Sequence, residues 1–139
     1  MVDISQERLG AFGPRVRLER TAGDVLLPAD TGVCDRFVST YVLDLMAEER
    51  ALGLIDEAGR VLREGGMLCL VSLTRGETVA TRIVSGMWNA IYRVNARLVG
   101  GCRPIELGAM IANRTWNIEY ATKISSFGLT SEVVVARKR

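Results

Sequence analysis

Apolar residues cluster in the middle of the chain in two different rhythms. Phe37-Val38-Ser39-Thr40-Tyr41-Val42-Leu43 is a mostly apolar run, rich in β-branched and aromatic residues. That composition predicts a strand buried on both faces, as in a parallel sheet. Asp44 then stands where a helix N-cap is expected, with Glu48 and Glu49 in or beside the first turn, where the helix dipole favours anions. Leu52, Ile55, Gly59 and Leu62 recur at helical spacing, and Leu54, Ala58 and Val61 widen the stripe. Arg60 and Arg63 fall in the last turn, and Gly65-Gly66 predicts the stop, because a left-handed C′ residue costs least as glycine. Met67 to Leu73 follows as a second buried strand. Strand, helix, Gly-Gly, strand is a βαβ unit, with a right-handed crossover expected.

The flanks continue the pattern. Val2 to Ile4 reads as the stub of a strand, and Ser5 caps a short helix through Leu9 to Phe12, broken at Gly13-Pro14. Val16 and Leu18 alternate with Arg17 and Glu19, predicting a half-exposed edge strand. Trp116 to Thr122 and Glu132 to Ala136 read as two strands of an antiparallel hairpin, with Ser126-Phe127-Gly128 between them. Between these blocks, about residues 75–114, Val79, Ile83, Met87, Ala90 and Val94 predict a helix over 78–94. Gly100-Gly101 marks a turn, and Ile105 to Ala112 a shorter helix. The expected fold is α/β: a Rossmann-like, mostly parallel sheet with an antiparallel C-terminal hairpin, incomplete at the N-terminus. It is a single, partial domain with a helical insertion placed to build a lid or a substrate pocket.

Composition narrows the chemistry. The 139 residues are 48% hydrophobic and 24% charged, which supports a core and excludes disorder. Eighteen basic and sixteen acidic residues give net charge +2, too balanced for a nucleic-acid footprint. There is no histidine. Ser-His-Asp and Cys-His catalysis are thereby removed, along with histidine bases and nearly all catalytic zinc sites; no metal is expected. Cys34, Cys69 and Cys102 are far apart and odd in number, and read as reduced thiols of a cytoplasmic protein. No apolar run approaches the ~18–20 residues of a membrane span, and no secretory signal opens the chain.

Three motifs carry the candidate chemistry. Asp3-Ile4 in Val-Asp-Ile-Ser puts a carboxylate where a ribose can be held, at the end of a strand. Asp24-Val25, in Gly-Asp-Val-Leu-Leu-Pro, can meet an adenine amino group and ring. Ser39, Thr40 and Tyr41 lie near the carboxyl end of a strand, where ligands of open α/β sheets sit. Each alone also reads as an ordinary surface or turn feature. Together with Cys34-Asp-Arg-Phe-Val38 and Glu57-Ala-Gly-Arg-Val-Leu-Arg-Glu-Gly-Gly66, in this order and spacing over residues 2–73, they resemble the class I S-adenosylmethionine-dependent methyltransferases. The nearest likeness is to the branch holding the ubiquinone/menaquinone-biosynthesis enzymes and the type 11 methyltransferase domain. Two departures are minor: Glu64 stands for a proline and Cys34 for a phenylalanine.

The resemblance implies S-adenosylmethionine as cofactor and a small-molecule methyl acceptor. Asp3 would hold the ribose, Asp24 and Val25 the adenine, and Ser39, Thr40 and Tyr41 the sulfonium end. Trp88 and Tyr92, four apart on one helix, would form an aromatic wall, and Arg103, before Pro104, could bind an anionic group of the acceptor. The catalytic residue stays unknown; with no histidine, a proton acceptor must be Asp, Glu, Tyr, Lys, Cys or water. One departure is large. The family's first strand and Gly-x-Gly-x-Gly loop precede Val-Asp-Ile-Ser, and here the chain starts at that motif. The expectation is the body of a longer enzyme, a sheet completed by a homo- or hetero-oligomeric partner, or a remnant with weak cofactor binding. A non-catalytic partner that completes another methyltransferase's sheet is the rival function, and a dehydrogenase is disfavoured by the lack of a dinucleotide loop.

Overall fold

The computed structural model describes residues 2–21, 23–76, 79–95, 102–112, 115–126 and 128–139. The Gly100-Gly101 turn and Phe127 lie outside them. Four strands form one sheet: β1 (Cys34–Thr40), β2 (Leu62–Thr74), β3 (Trp116–Ser126) and β4 (Leu129–Lys138). Their order is β1-β2-β4-β3, with β1 and β2 parallel and β4 antiparallel to both β2 and β3. Strands β1, β2 and β3 therefore share one direction, and β4 alone runs against them. The helices are α1 (Val2–Leu9), α2 (Glu48–Val61), α3 (Val79–Val94) and α4 (Leu107–Ala112). No helix among the described residues is long and apolar enough to cross a membrane.

Alternation decides which strand residues are buried. Leu68, Leu70, Val134 and Ala136 face α2 and α4, where Ala51, Ile55, Ala58, Leu107 and Ile111 meet them with essentially no exposure. Each fully buried Leu or Ile there contributes roughly 1.5–3 kcal/mol. Trp116 closes the far end of this core, and its ring lies against Gly59 of α2. The opposite face carries Val38, Val71, Val133 and Tyr120, and is open: Val38 is 67% exposed and Tyr120 55%.

Four local expectations are corrected. Residues 2–4 belong to helix α1, not to a strand stub, and Val16 to Glu19 form no strand; neither segment has a ladder partner among the described residues. Asp44 is not the cap of α2. It sits in a 3₁₀ turn (Leu43–Leu45), and the residue before α2 is Ala47, which makes no side-chain cap. Gly65-Gly66 does not end α2, which stops at Val61; the pair lies inside β2 beside a register irregularity of the β1–β2 ladder. Gly65 has φ +72°, and a Cβ on Gly66 would stand 2.8 Å from the Arg63 carbonyl oxygen. The two glycines serve different needs, conformation and space. The basic chain end fastens this spot: Arg137 donates to the Gly65 carbonyl (2.9 Å) and Lys138 to that of Leu62 (2.9 Å).

Candidate cofactor and acceptor site

The two best-spaced motifs touch. Glu57 Oε1 accepts the Leu27 N–H at 2.8 Å. Arg60 Nη2 donates to the carbonyls of Ala29 (2.8 Å) and Leu27 (3.3 Å) and pairs with Glu57 (2.6 Å), while its Nη1 reaches Thr31 Oγ1 (3.2 Å). The Glu-x-x-Arg spacing places both side chains on one face of α2, and their purpose is to clip the 27–31 segment to it. Both groups respond. Arg60 holds the Glu57 carboxyl below its usual range, against the opposing effect of burial.

Nearer the start of α2, Val25 packs over Gly53, and Arg50 donates to the Gly23 carbonyl. Helix α2 begins just after β1 ends, so Gly23, Asp24 and Val25 are drawn toward the carboxyl end of the sheet. Val25 is half-buried against the core, and Asp24 is exposed. This is an apolar floor with a free-standing carboxylate beside it. Asp3 stands in α1, and its side chain lies outside the described ones; Ile4 is exposed.

Strand alternation parts the three residues at the end of β1. Ser39 is buried on the core face beside Leu70, with its hydroxyl unpaired. Thr40 is exposed on the other face. Tyr41, just past the strand, has φ +53°, the one non-glycine in the left-handed region among the described residues. Such a conformation stores on the order of 1–3 kcal/mol and concentrates at functional sites. Its amide still donates to the Val71 carbonyl (2.8 Å), and its hydroxyl meets Ser131 Oγ (2.8 Å). The ring thereby spans to β4 and walls an apolar cleft of about 470 Å³ with Val71, Leu73, Ile124 and Val133.

The insertion is tied down by buried polar groups that spacing alone did not single out. Glu132 of β4 accepts the Leu107 and Gly108 amides (2.8 and 3.1 Å), fixing the start of α4. The Asp44 carboxylate accepts the Leu73 amide (3.3 Å), and its carbonyl accepts the Arg103 amide (3.0 Å). Asp44 is fully buried, and burial raises its pKa above 3.8 despite that hydrogen bond. Trp88 Nε1 donates to the Cys102 carbonyl (3.1 Å), so this indole ties α3 to the 102–105 segment; Tyr92 is half-buried one turn on. Arg103 Nε donates to the Met46 carbonyl (3.1 Å). The three cysteines are free thiols, all half-buried.

No family model matches the sequence, and no curated protein matches it. Solved structures do. The chain aligns over 99% of its length with geranyl diphosphate C-methyltransferase of Streptomyces coelicolor A3(2), at 10% identity and TM-score 0.68, covering 59% of that chain. An S-adenosylmethionine-dependent methyltransferase of Aquifex aeolicus matches over 99%, at 12% identity and TM-score 0.66, covering 63% of it. The [4+2]-cyclase SpnF matches over 99%, at 16% identity and TM-score 0.68, covering 62% of it. The chain thus spans about three fifths of the length of these proteins. It has the fold of the class I S-adenosylmethionine-dependent methyltransferases. The cyclase among the matches shows that this fold carries other chemistry too.

Proposed function

We propose that the chain serves S-adenosylmethionine-dependent methyl transfer to a small-molecule acceptor, as the C-terminal body of a longer enzyme of the cytoplasm. The observation that carries this is the clip between Glu57/Arg60 and the 27–31 segment. It joins two motifs of the methyltransferase resemblance physically, and the Val25–Gly53 and Arg50–Gly23 contacts draw Asp24 and Val25 toward the carboxyl end of the sheet. The residues present suit the adenine of the cofactor, with Val25 as a floor for the ring and Asp24 for its amino group; the ribose role of Asp3 rests on the resemblance alone. The cofactor's own contribution is a sulfonium-bound methyl group open to in-line attack. The chain's part is positioning and exclusion of water, the usual bulk of such catalysis. Thr40 and Tyr41, at the open end of β1, face the sulfonium, while Ser39, enclosed on the core face, supports the strand from behind, and the apolar cleft beside Tyr41 takes the acceptor's body. Trp88, Tyr92 and Arg103 belong to the acceptor side, Trp88 by holding the insertion against the Cys102 carbonyl.

Titration with S-adenosylhomocysteine and with NAD tests the reading. Saturable binding of the former alone, weakened tenfold or more by Asp24→Ala (about 1.4 kcal/mol), is expected. A second reading has its own observation: among the described residues β1 pairs only with β2, and Val38 on its open face is exposed. Such an edge suits a partner that completes another methyltransferase's sheet. No S-adenosylhomocysteine binding by this chain, together with a stable complex with a homologous chain, would favour that role.

A further inference from the structure

Two clefts open beside the insertion and share Arg75, Pro104 and Glu106. The larger, about 630 Å³, adds Arg82 and Lys123 to its wall. The smaller, about 390 Å³, adds Arg103 and Glu48. Four cations therefore line two adjacent clefts, against two carboxylates. They come from four separate places: Arg75 directly follows β2, Arg82 is on α3, Arg103 precedes Pro104, and Lys123 is on β3. A chain of net charge +2 has no general surplus that would produce this by chance crowding. Among the described residues, none of the three arginines is ion-paired.

Arg103 is the most telling of them. Its backbone is pinned on both sides, by its own amide to the Asp44 carbonyl (3.0 Å) and by the Ile105 amide to the Leu73 carbonyl (2.9 Å). Its Nε is engaged with the Met46 carbonyl, so the guanidinium is held in place. Yet its Nη2 is buried without an acceptor. A buried, charged donor left unpaired is costly, and a guanidinium fork held at one nitrogen is pre-set for an anion at the others.

We propose that these adjoining clefts bind an anionic group of the methyl acceptor, a carboxylate or a phosphate, with Arg103 as the fixed anchor, Arg75 shared between the clefts and Arg82 on the far side. The volume suits a small molecule. Calling the ligand the methyl acceptor rests on the methyltransferase reading; the anion site itself rests on the arginines.

The test is calorimetric titration of the full chain with inorganic phosphate, pyrophosphate and benzoate, in parallel with S-adenosylhomocysteine. Saturable binding of at least one anion is expected, weakened tenfold or more by Arg82→Gln and by Arg103→Gln and weakened by added salt. Arg17→Gln, which removes the same charge at a distant exposed pair, should leave it unchanged. The tighter of the phosphate and benzoate arms identifies the group. Because Arg103 also holds Met46, Arg82→Gln, on the exposed side of α3, keeps the test valid if Arg103→Gln unfolds. Absence of binding for all three anions, or equal binding by wild type, Arg82→Gln and Arg17→Gln, overturns the site. Anion binding lost in Arg82→Gln, without any S-adenosylhomocysteine binding, supports the site and overturns only its assignment to a methyl acceptor.

Discussion

Asp44 shows how much a single side chain's surroundings decide. Sequence position makes it a helix cap, a role for an exposed carboxylate; the structure buries it completely, with one oxygen on the Leu73 amide and the other unpaired. Burial disfavours the charged form, so its folded pKa lies above 3.8. The native state then holds its proton more tightly than the unfolded state. The stability this confers is complete below about pH 3.8 and is lost as pH rises through the folded value. Asp44→Asn removes that loss while keeping an acceptor for Leu73. Denaturation midpoints of the two proteins should converge at pH 4 and separate toward pH 7, with the variant the more stable there. A variant that is less stable at pH 7 than at pH 4, relative to wild type, would show that Asp44 works as a charge. Gly66 is a second such position. Alanine there sets a Cβ 2.8 Å from the Arg63 carbonyl oxygen, and a loss of about 1–3 kcal/mol in chemical denaturation is expected.

Among the elements, what was readable from sequence follows physical reach. The βαβ unit and the terminal hairpin were legible because apolar periodicity is imposed by local geometry and by one buried face. The Val2–Ile4 and Val16–Glu19 segments were misread because a strand exists only with a neighbour to bond, and periodicity carries no information about neighbours. Glu57 and Arg60 were legible as a motif, but their work was not: the 27–31 segment they hold lies thirty residues away, and only folding brings it to α2. Arg75 and Arg82 gave no sequence signal at all, since nothing in their spacing reveals a shared cleft. The Glu57 clip makes a prediction with the opposite sign to Asp44. Its depressed carboxyl stabilises the fold above its ordinary value of 4.5, and that contribution is lost as pH falls through the folded value. Glu57→Gln should cost about 1–2 kcal/mol at pH 7, and the cost should shrink as pH falls below 4.5 through the folded value, read from urea midpoints. Glu132 makes a comparable demand at α4. Glu132→Ala leaves two amides of a six-residue helix without their acceptor, and hydrogen exchange at Leu107 and Gly108 should accelerate well before the sheet amides change.

For the molecule as a whole, the two faces of the sheet are unequal. One is sealed by α2 and α4; the other presents Val38, Tyr120 and Ile124 at 55–67% exposure, next to an outer strand that, among the described residues, pairs on one side only. An apolar face beside an open edge is a template for another chain. Self-association that grows with concentration is therefore expected, and Val38→Lys should suppress it, because a charge on an edge strand is costly to bury against a second sheet. The substitution lies on the open face, away from the Leu68–Leu70 core, so the unfolding free energy should change by no more than a surface replacement allows, about 0.5 kcal/mol, and the melting midpoint correspondingly little. Sedimentation velocity over a hundredfold range of concentration reads the first effect and thermal denaturation the second. If wild type stays monomeric throughout, the open face is silent toward its own copies. If Val38→Lys instead unfolds, Val38 belongs to the core after all. Suppression of self-association with an unchanged midpoint would leave the edge as the surface through which this half-covered sheet meets another chain.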